Sequence, residues 1–175
     1  EVSGTARIQN GDPDVINDVR LVGVTRKELQ KDLKIRLDDA NRVVYAFPKD
    51  VVDNTVRANN VSATNPGGYS AQGAPEGRYI APINSSSCIE IYDGDCGGMN
   101  LILYGPKVIV FDLSATKRIR IREKLNFEFR AEMFNAFNNT NFDIPDNFGT
   151  ITTTFGQVTG VDGGARTIQL IGRIN

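Results

Sequence analysis

The stretch LNFEFRAEM, residues 125–133, alternates at every position. Leu125, Phe127, Phe129, Ala131 and Met133 are apolar, whereas Asn126, Glu128, Arg130 and Glu132 between them are polar or charged. A period of two is the signature of an extended strand with two unlike faces. Such a strand does not suit a parallel sheet buried on both sides, where runs are apolar throughout. The same period recurs in VIVFDLSATKR, where Ile109, Phe111, Leu113 and Ala115 are in phase. It recurs again in TIQLIGRIN, with Ile168, Leu170, Gly172 and Ile174 in phase. The predicted fold class is mainly β: antiparallel strands with alternating apolar and polar faces.

A sheet of this kind can pack its apolar face in a water-soluble sandwich or turn it toward lipid in an outer-membrane barrel. Three features favour the barrel. The polar face of the opening strand is charged, with Glu128, Arg130 and Glu132 in succession, as a water-filled lumen tolerates. The strands run about ten residues, enough to cross a bilayer at a tilt. A tight turn at 121–124 and a long Gly-, Asn- and Thr-rich excursion at 138–164 match the short inner turns and long outer loops of such barrels.

Composition narrows the chemistry. The 175 residues hold no histidine, which removes histidine-based acid–base and nucleophile pairs and most zinc sites. The net charge of −1 gives no general attraction to nucleic acid. Paired acids at Asp12 and Asp14, Asp38 and Asp39, and Asp93 and Asp95 lack the ligand spacing of a calcium loop and read as turns. Lys117, Arg118, Arg120, Arg122 and Lys124 read as a solvated strand end. The expectation is a non-enzyme without cofactor, metal or nucleic-acid partner. Cys88 and Cys96 enclose a short Gly-rich loop, which fits a disulfide in an oxidising compartment; two free thiols are the alternative.

The first 105 residues read as a helix–hairpin–helix and a long loop carrying the cysteine pair, and residues 106–175 as one unit of antiparallel strands. Residues 1–20 read as polar and turn-rich. Thr25 and Glu28 make a capping-box spacing, predicting a short helix from Arg26 to Leu33. KIRLDDANRVVYAF predicts a hairpin, and Pro48 opens a second short helix. Residues 59–106 are rich in Gly, Pro, Ser and Asn and read as a structureless loop; short strands are expected near 150–158.

GPKVIVFDLSATKRIRIREKLNFEFRAEMFNAFNNTNF, with FGQVTG and RTIQLIGRI after it, resembles the C-terminal end of TonB-dependent outer-membrane receptors. The branch it resembles is the Oar-like one, whose members carry a carboxypeptidase-regulatory-like domain at the N-terminus. RLVGVTRKELQKDLKIR, FPKDVVDNT and NVSATNPGGY upstream resemble the same branch. The resemblance implies the last strands of an outer-membrane β-barrel of about 22 strands. It also implies uptake of a nutrient, with the TonB system engaged through plug and TonB-box regions that this sequence lacks. The family's terminal aromatic residue would fall just past Asn175, so the expectation is a piece of a longer chain. The apolar residues Ile109, Phe111, Leu113, Leu125, Phe127, Phe129, Met133, Ile168 and Leu170 would then face outer-membrane lipid, with Glu128, Arg130 and Glu132 on the polar side. An alternative follows from open strand edges: a released fragment binding copies of itself in an extracellular fibre or tube.

Overall fold

The computed structural model describes residues 1–61, 64–65, 68–83, 98–123, 125–145 and 151–174. Among these lie eleven strands and two helices. In chain order they are β1 (Val2–Gln9), β2 (Pro13–Val22), α1 (Arg26–Asp32), β3 (Arg36–Asp38), β4 (Val43–Tyr45), α2 (Lys49–Asn59), β5 (Tyr79–Pro82), β6 (Met99–Tyr104), β7 (Val108–Arg122), β8 (Leu125–Phe134), β9 (Asn141–Phe142), β10 (Val161–Asp162) and β11 (Thr167–Ile174). The chain divides into two units. One comprises Glu1–Asn10, Lys107–Asn141 and Val161–Asn175; the other comprises Gly11–Pro106 and Phe142–Gly160.

The first unit is an antiparallel sheet in the order β1-β7-β8-β11. β7 and β8 are joined by a tight turn. The two other connections, β1 to β7 and β8 to β11, leave from the opposite strand ends, and between them they supply every residue of the second unit. The alternation of short and long connections seen in the sequence is therefore a topology: one tight turn between β7 and β8, and two long connections that leave the sheet from the opposite strand ends.

The second unit has its own core. β2 lies between β5 and β6 in a three-stranded antiparallel sheet, and β3 and β4 form a hairpin. Phe47 and Phe155 stack at 6.1 Å among fully buried Ile16, Leu29, Val51, Ile80 and Leu101. Burying one such side chain contributes about 1.5–3 kcal/mol. Helix α1 starts at a reciprocal capping box: Thr25 accepts from the Glu28 N–H, and Glu28 accepts from the Thr25 N–H. These hydrogen bonds hold the Glu28 carboxyl below the usual carboxylate range. α1 also covers the outer edge of β6. Gln30 donates to the Tyr104 carbonyl at 3.0 Å and accepts its N–H at 2.8 Å, so one side-chain amide replaces a missing strand. On the opposite edge strand, buried Thr55 of α2 accepts the Ile80 N–H at 3.0 Å.

Several expectations need correction. Residues 1–20 are not a polar turn region but hold β1 and β2. In β1 the in-phase residues are Val2, Gly4, Ala6 and Ile8, two of them too small to register as a hydrophobic stripe. The site at Gly4 is tight: a Cβ would come within 2.9 Å of the tip of the Leu113 side chain, which would have to shift, and 3.1 Å of the Asp112 carbonyl oxygen. The stretch 59–106 contains β5, whose four residues are nearly all buried and so show no period, and β6, where Ile102 interrupts the alternation of Leu101 and Leu103. Among the described residues, 151–158 form turns and a single bridge from Gln157 to Tyr45, without a strand. β7 runs on to Arg122, so Arg118, Arg120 and Arg122 lie on the strand and not around the turn. The two units are interleaved in sequence, where a single division at 105 was expected, because the second unit is built from both long excursions of the sheet.

Candidate functional site

The four-stranded sheet has two chemically opposite faces, and its register shows how they are assembled. β7 and β8 pair Leu113 with Met133, Ala115 with Ala131, Lys117 with Phe129 and Ile119 with Phe127. β11 adds Ile168 opposite Met133, Leu170 opposite Ala131, Gly172 opposite Phe129 and Ile174 opposite Phe127. β1 adds Val2 opposite Ala115, Gly4 opposite Leu113, Ala6 opposite Phe111 and Ile8 opposite Ile109. Directly paired residues share a face. One side of all four strands is thus a continuous apolar surface, with Lys117 its one charged member between Ile109 and Ile119. Leu125 is in phase with it but pairs with Arg122 across a bulge beside the turn.

This surface is open. Leu170 is 66% exposed, Ile174 69% and Ile8 64%, while Ile109, Phe111, Leu113, Leu125, Phe127 and Met133 are half-buried among their neighbours. Over Gly172 of edge strand β11 lies the Phe127 ring, 3.6 Å from where a Cβ would sit, an aromatic cover for a bare backbone. At the loop end Phe137 meets Phe111 edge-on at 5.1 Å. From Ile109 to Ile119 the band spans about ten rises of roughly 3.3 Å, or about 25 Å along the membrane normal at a tilt of about 40°. That is the height of the lipid-facing band of an outer-membrane barrel. Lys117 lies toward the turn end, where its long stem can lie along apolar surface and its ammonium can reach water.

The opposite face is a charge ladder. Arg118 Nε lies 2.7 Å from Glu128 Oε2, and Arg130 lies 3.8 Å from Glu128 and 3.4 Å from Glu132. Arg173 pairs with Glu128 in the β8–β11 register. Charges of opposite sign meet across strands at the Arg118–Glu128–Arg173 rung and alternate along β8 through Arg130 and Glu132. It places carboxylates against guanidiniums, with Ser114 opposite Glu132 and Thr116 opposite Arg130.

The segment NAFNNTN, 135–141, has a role that the sequence reading missed. Asn135 takes a left-handed conformation at φ 48°. Its N–H donates to Asp112, and its side-chain amide donates to the carbonyls of Asn139 and Gly164. Asn138 accepts the Arg166 N–H, and Asn141 bonds both backbone groups of Ile109. Four asparagines in seven residues thus tie the ends of β7, β8 and β11 together. Asparagine suits this because its amide copies a peptide group and tolerates positive φ; the density of Asn after an alternating strand is the signal that could have revealed it. Cys88 and Cys96 lie outside the described residues. No described helix is long and apolar enough to cross a membrane, and in this architecture strands do the crossing.

A sequence model described as outer membrane beta barrel domain matches residues 2–169. The chain belongs to this family. No curated protein and no solved structure matches it. As an outer-membrane β-barrel domain protein, it resides in the outer membrane. The match spans both units, so the folded excursions belong to the barrel domain as much as its strands do.

Proposed function

We propose that this chain is the closing part of a TonB-dependent outer-membrane receptor of the Oar-like branch, with a non-catalytic role in nutrient uptake. The observation that carries the reading is the distribution of folded mass. One tight turn joins β7 to β8 in a lipid-height sheet, and both of its long connections enter a unit with its own core. A barrel that only anchors has no need of such a structured outer region, whereas a receptor that must recognise a solute before importing it does. The motif FRAEMFNAFNNTNF and the final RTIQLIGRI support the branch. In this reading the apolar face meets lipid, the charge ladder lines the lumen, and TonB acts through other regions of the receptor. Solute uptake by energised cells tests it: uptake lost on deleting either the receptor gene or TonB is expected, and uptake indifferent to TonB would contradict it.

A second reading rests on the sheet's two open edges, β1 and β11. Four strands cannot close a barrel, and unpaired edges recruit strands from other chains. A released fragment would then assemble into an extracellular fibre or tube. Electron microscopy of secreted material distinguishes the two, since dispersed single chains would end the fibre reading.

A further inference from the structure

The second unit carries a groove that the barrel role does not use. Two neighbouring hollows of about 290 and 240 Å³ both touch Val56 and Thr153 beside the second half of α2, and the first holds Arg57 and Gln72. Their combined size falls in the range of pockets that hold a small ligand, roughly 300–1,000 Å³. The lining is mixed. Tyr45, Val52 and Val56 give apolar surface, while Asp53, Arg57, Gln72 and Thr153 give polar groups. Other charged side chains in and near the groove already have partners: Lys49 pairs with Asp53 at 3.1 Å, and Arg78 pairs with Asp32 and Asp50. Arg57 is different. Among the described residues its guanidinium makes no ion pair and no hydrogen bond, and the Gln72 side chain likewise makes none.

We infer that this groove binds a hydroxylated monocarboxylate of sugar size, a uronic acid being the simplest example. The charge count sets the ligand charge. Asp53 is balanced by Lys49, which leaves Arg57 as one uncompensated positive charge. One carboxylate matches it, and its two oxygens fit the planar guanidinium fork. A doubly charged phosphate would overmatch it and meet the Asp53 carboxylate four residues away. The Tyr45 ring with Val52 and Val56 offers an apolar wall for the C–H face of a pyranose. Gln72, both donor and acceptor, and the Thr153 hydroxyl serve the ring hydroxyls. The inference rests on the receptor reading, naming the class of solute that its outer unit receives.

Calorimetric titration of the full chain in detergent with glucuronate tests it, beside glucose, acetate and inorganic phosphate. Saturable glucuronate binding is expected, at least about tenfold tighter than glucose or acetate and tighter than phosphate. Arg57→Gln is expected to weaken glucuronate at least about tenfold without moving the thermal transition; Gln72→Ala, at an exposed position, to weaken it several-fold. Should Arg57→Gln fail to fold, the Gln72→Ala titration decides. Unchanged affinity in the variants, phosphate binding tighter than glucuronate, or no saturable glucuronate binding would each overturn the inference. Binding is read without transport, so TonB-independent uptake would sink the receptor reading and leave this site standing. Absent binding alongside TonB-dependent uptake would do the reverse.

Discussion

Asn141 completes the end of the β7–β8 ladder in place of a strand residue: its Oδ1 accepts the Ile109 N–H at 2.8 Å, and its Nδ2 donates to the Ile109 carbonyl at 3.2 Å. The side chain is nearly fully buried. Asn141→Leu keeps the branched shape but leaves the Ile109 N–H without its acceptor and its carbonyl with only the Asn139 amide at 3.5 Å. A loss of about 1–3 kcal/mol is expected in urea unfolding. A change of only a few tenths would mean that water reaches Ile109.

The apolar face allows a depth test. Leu170 pairs with Ala131 near the middle of the band, and Ile174 pairs with Phe127 near its turn end. Both are similarly exposed, at 66% and 69%. In water, arginine at either site would cost little. In a bilayer, Leu170→Arg is expected to cost about 2–4 kcal/mol and Ile174→Arg about 0–1 kcal/mol. Unfolding from lipid vesicles measures the difference, and equal costs would place the band wrongly.

On the other face, Glu128→Gln is expected to change stability by less than about 1 kcal/mol. The Glu128 side chain is itself largely covered, at 16%, but its partner Arg118 is 72% exposed, and a pair open to water on one side contributes little. A loss several times larger would show that the ladder is buried against other protein.

Arg78 bridges two elements of the second unit. Its Nε lies 2.7 Å from Asp50 at the start of α2, and another of its nitrogens bonds Asp32 at the end of α1. The hydrogen bond from Arg78 holds the Asp50 carboxyl below the usual carboxylate range. A lowered value in the folded state means that the stabilisation is full above the unfolded value, near pH 4, and is lost as pH falls through the folded one. Both side chains are more than a third exposed, so the contribution is under about 1 kcal/mol. Arg78→Gln is expected to flatten the pH dependence of unfolding below about pH 4 while leaving its shape near neutrality unchanged. An unaltered acid limb would show that the bridge contributes nothing.

Buried Thr55 offers a test of the second unit's own fold. Thr55→Val is nearly isosteric but removes the acceptor of the buried Ile80 N–H. A cost of about 1–3 kcal/mol is expected in chemical unfolding.

What was legible in the sequence was whatever repeats. The faces of β7, β8 and β11 follow from period two, since one residue of slip would exchange them. α1 was legible through its capping box, and the β3–β4 hairpin through the turn where Asn41 bonds Asp38. β1 was not, because Gly4 and Ala6 gain meaning only against β7. β5 was not, because four buried residues carry no period. The second unit as a folded body was hidden for a different reason: its core joins Phe47 to Phe155, more than a hundred residues apart and from two separate excursions. No local pattern reports such a pairing.

Gln169 and Leu170 are adjacent, at one level of the sheet, and point to opposite faces, Gln169 paired with Glu132 and Leu170 with Ala131. The chain contains no tryptophan, so one introduced indole reports alone. Leu170→Trp and Gln169→Trp, each reconstituted in vesicles with bromine-labelled acyl chains, measure which face meets lipid. Strong quenching of the Leu170→Trp variant with little in Gln169→Trp is expected; equal quenching of both, or the reverse order, would contradict a lipid-facing apolar surface.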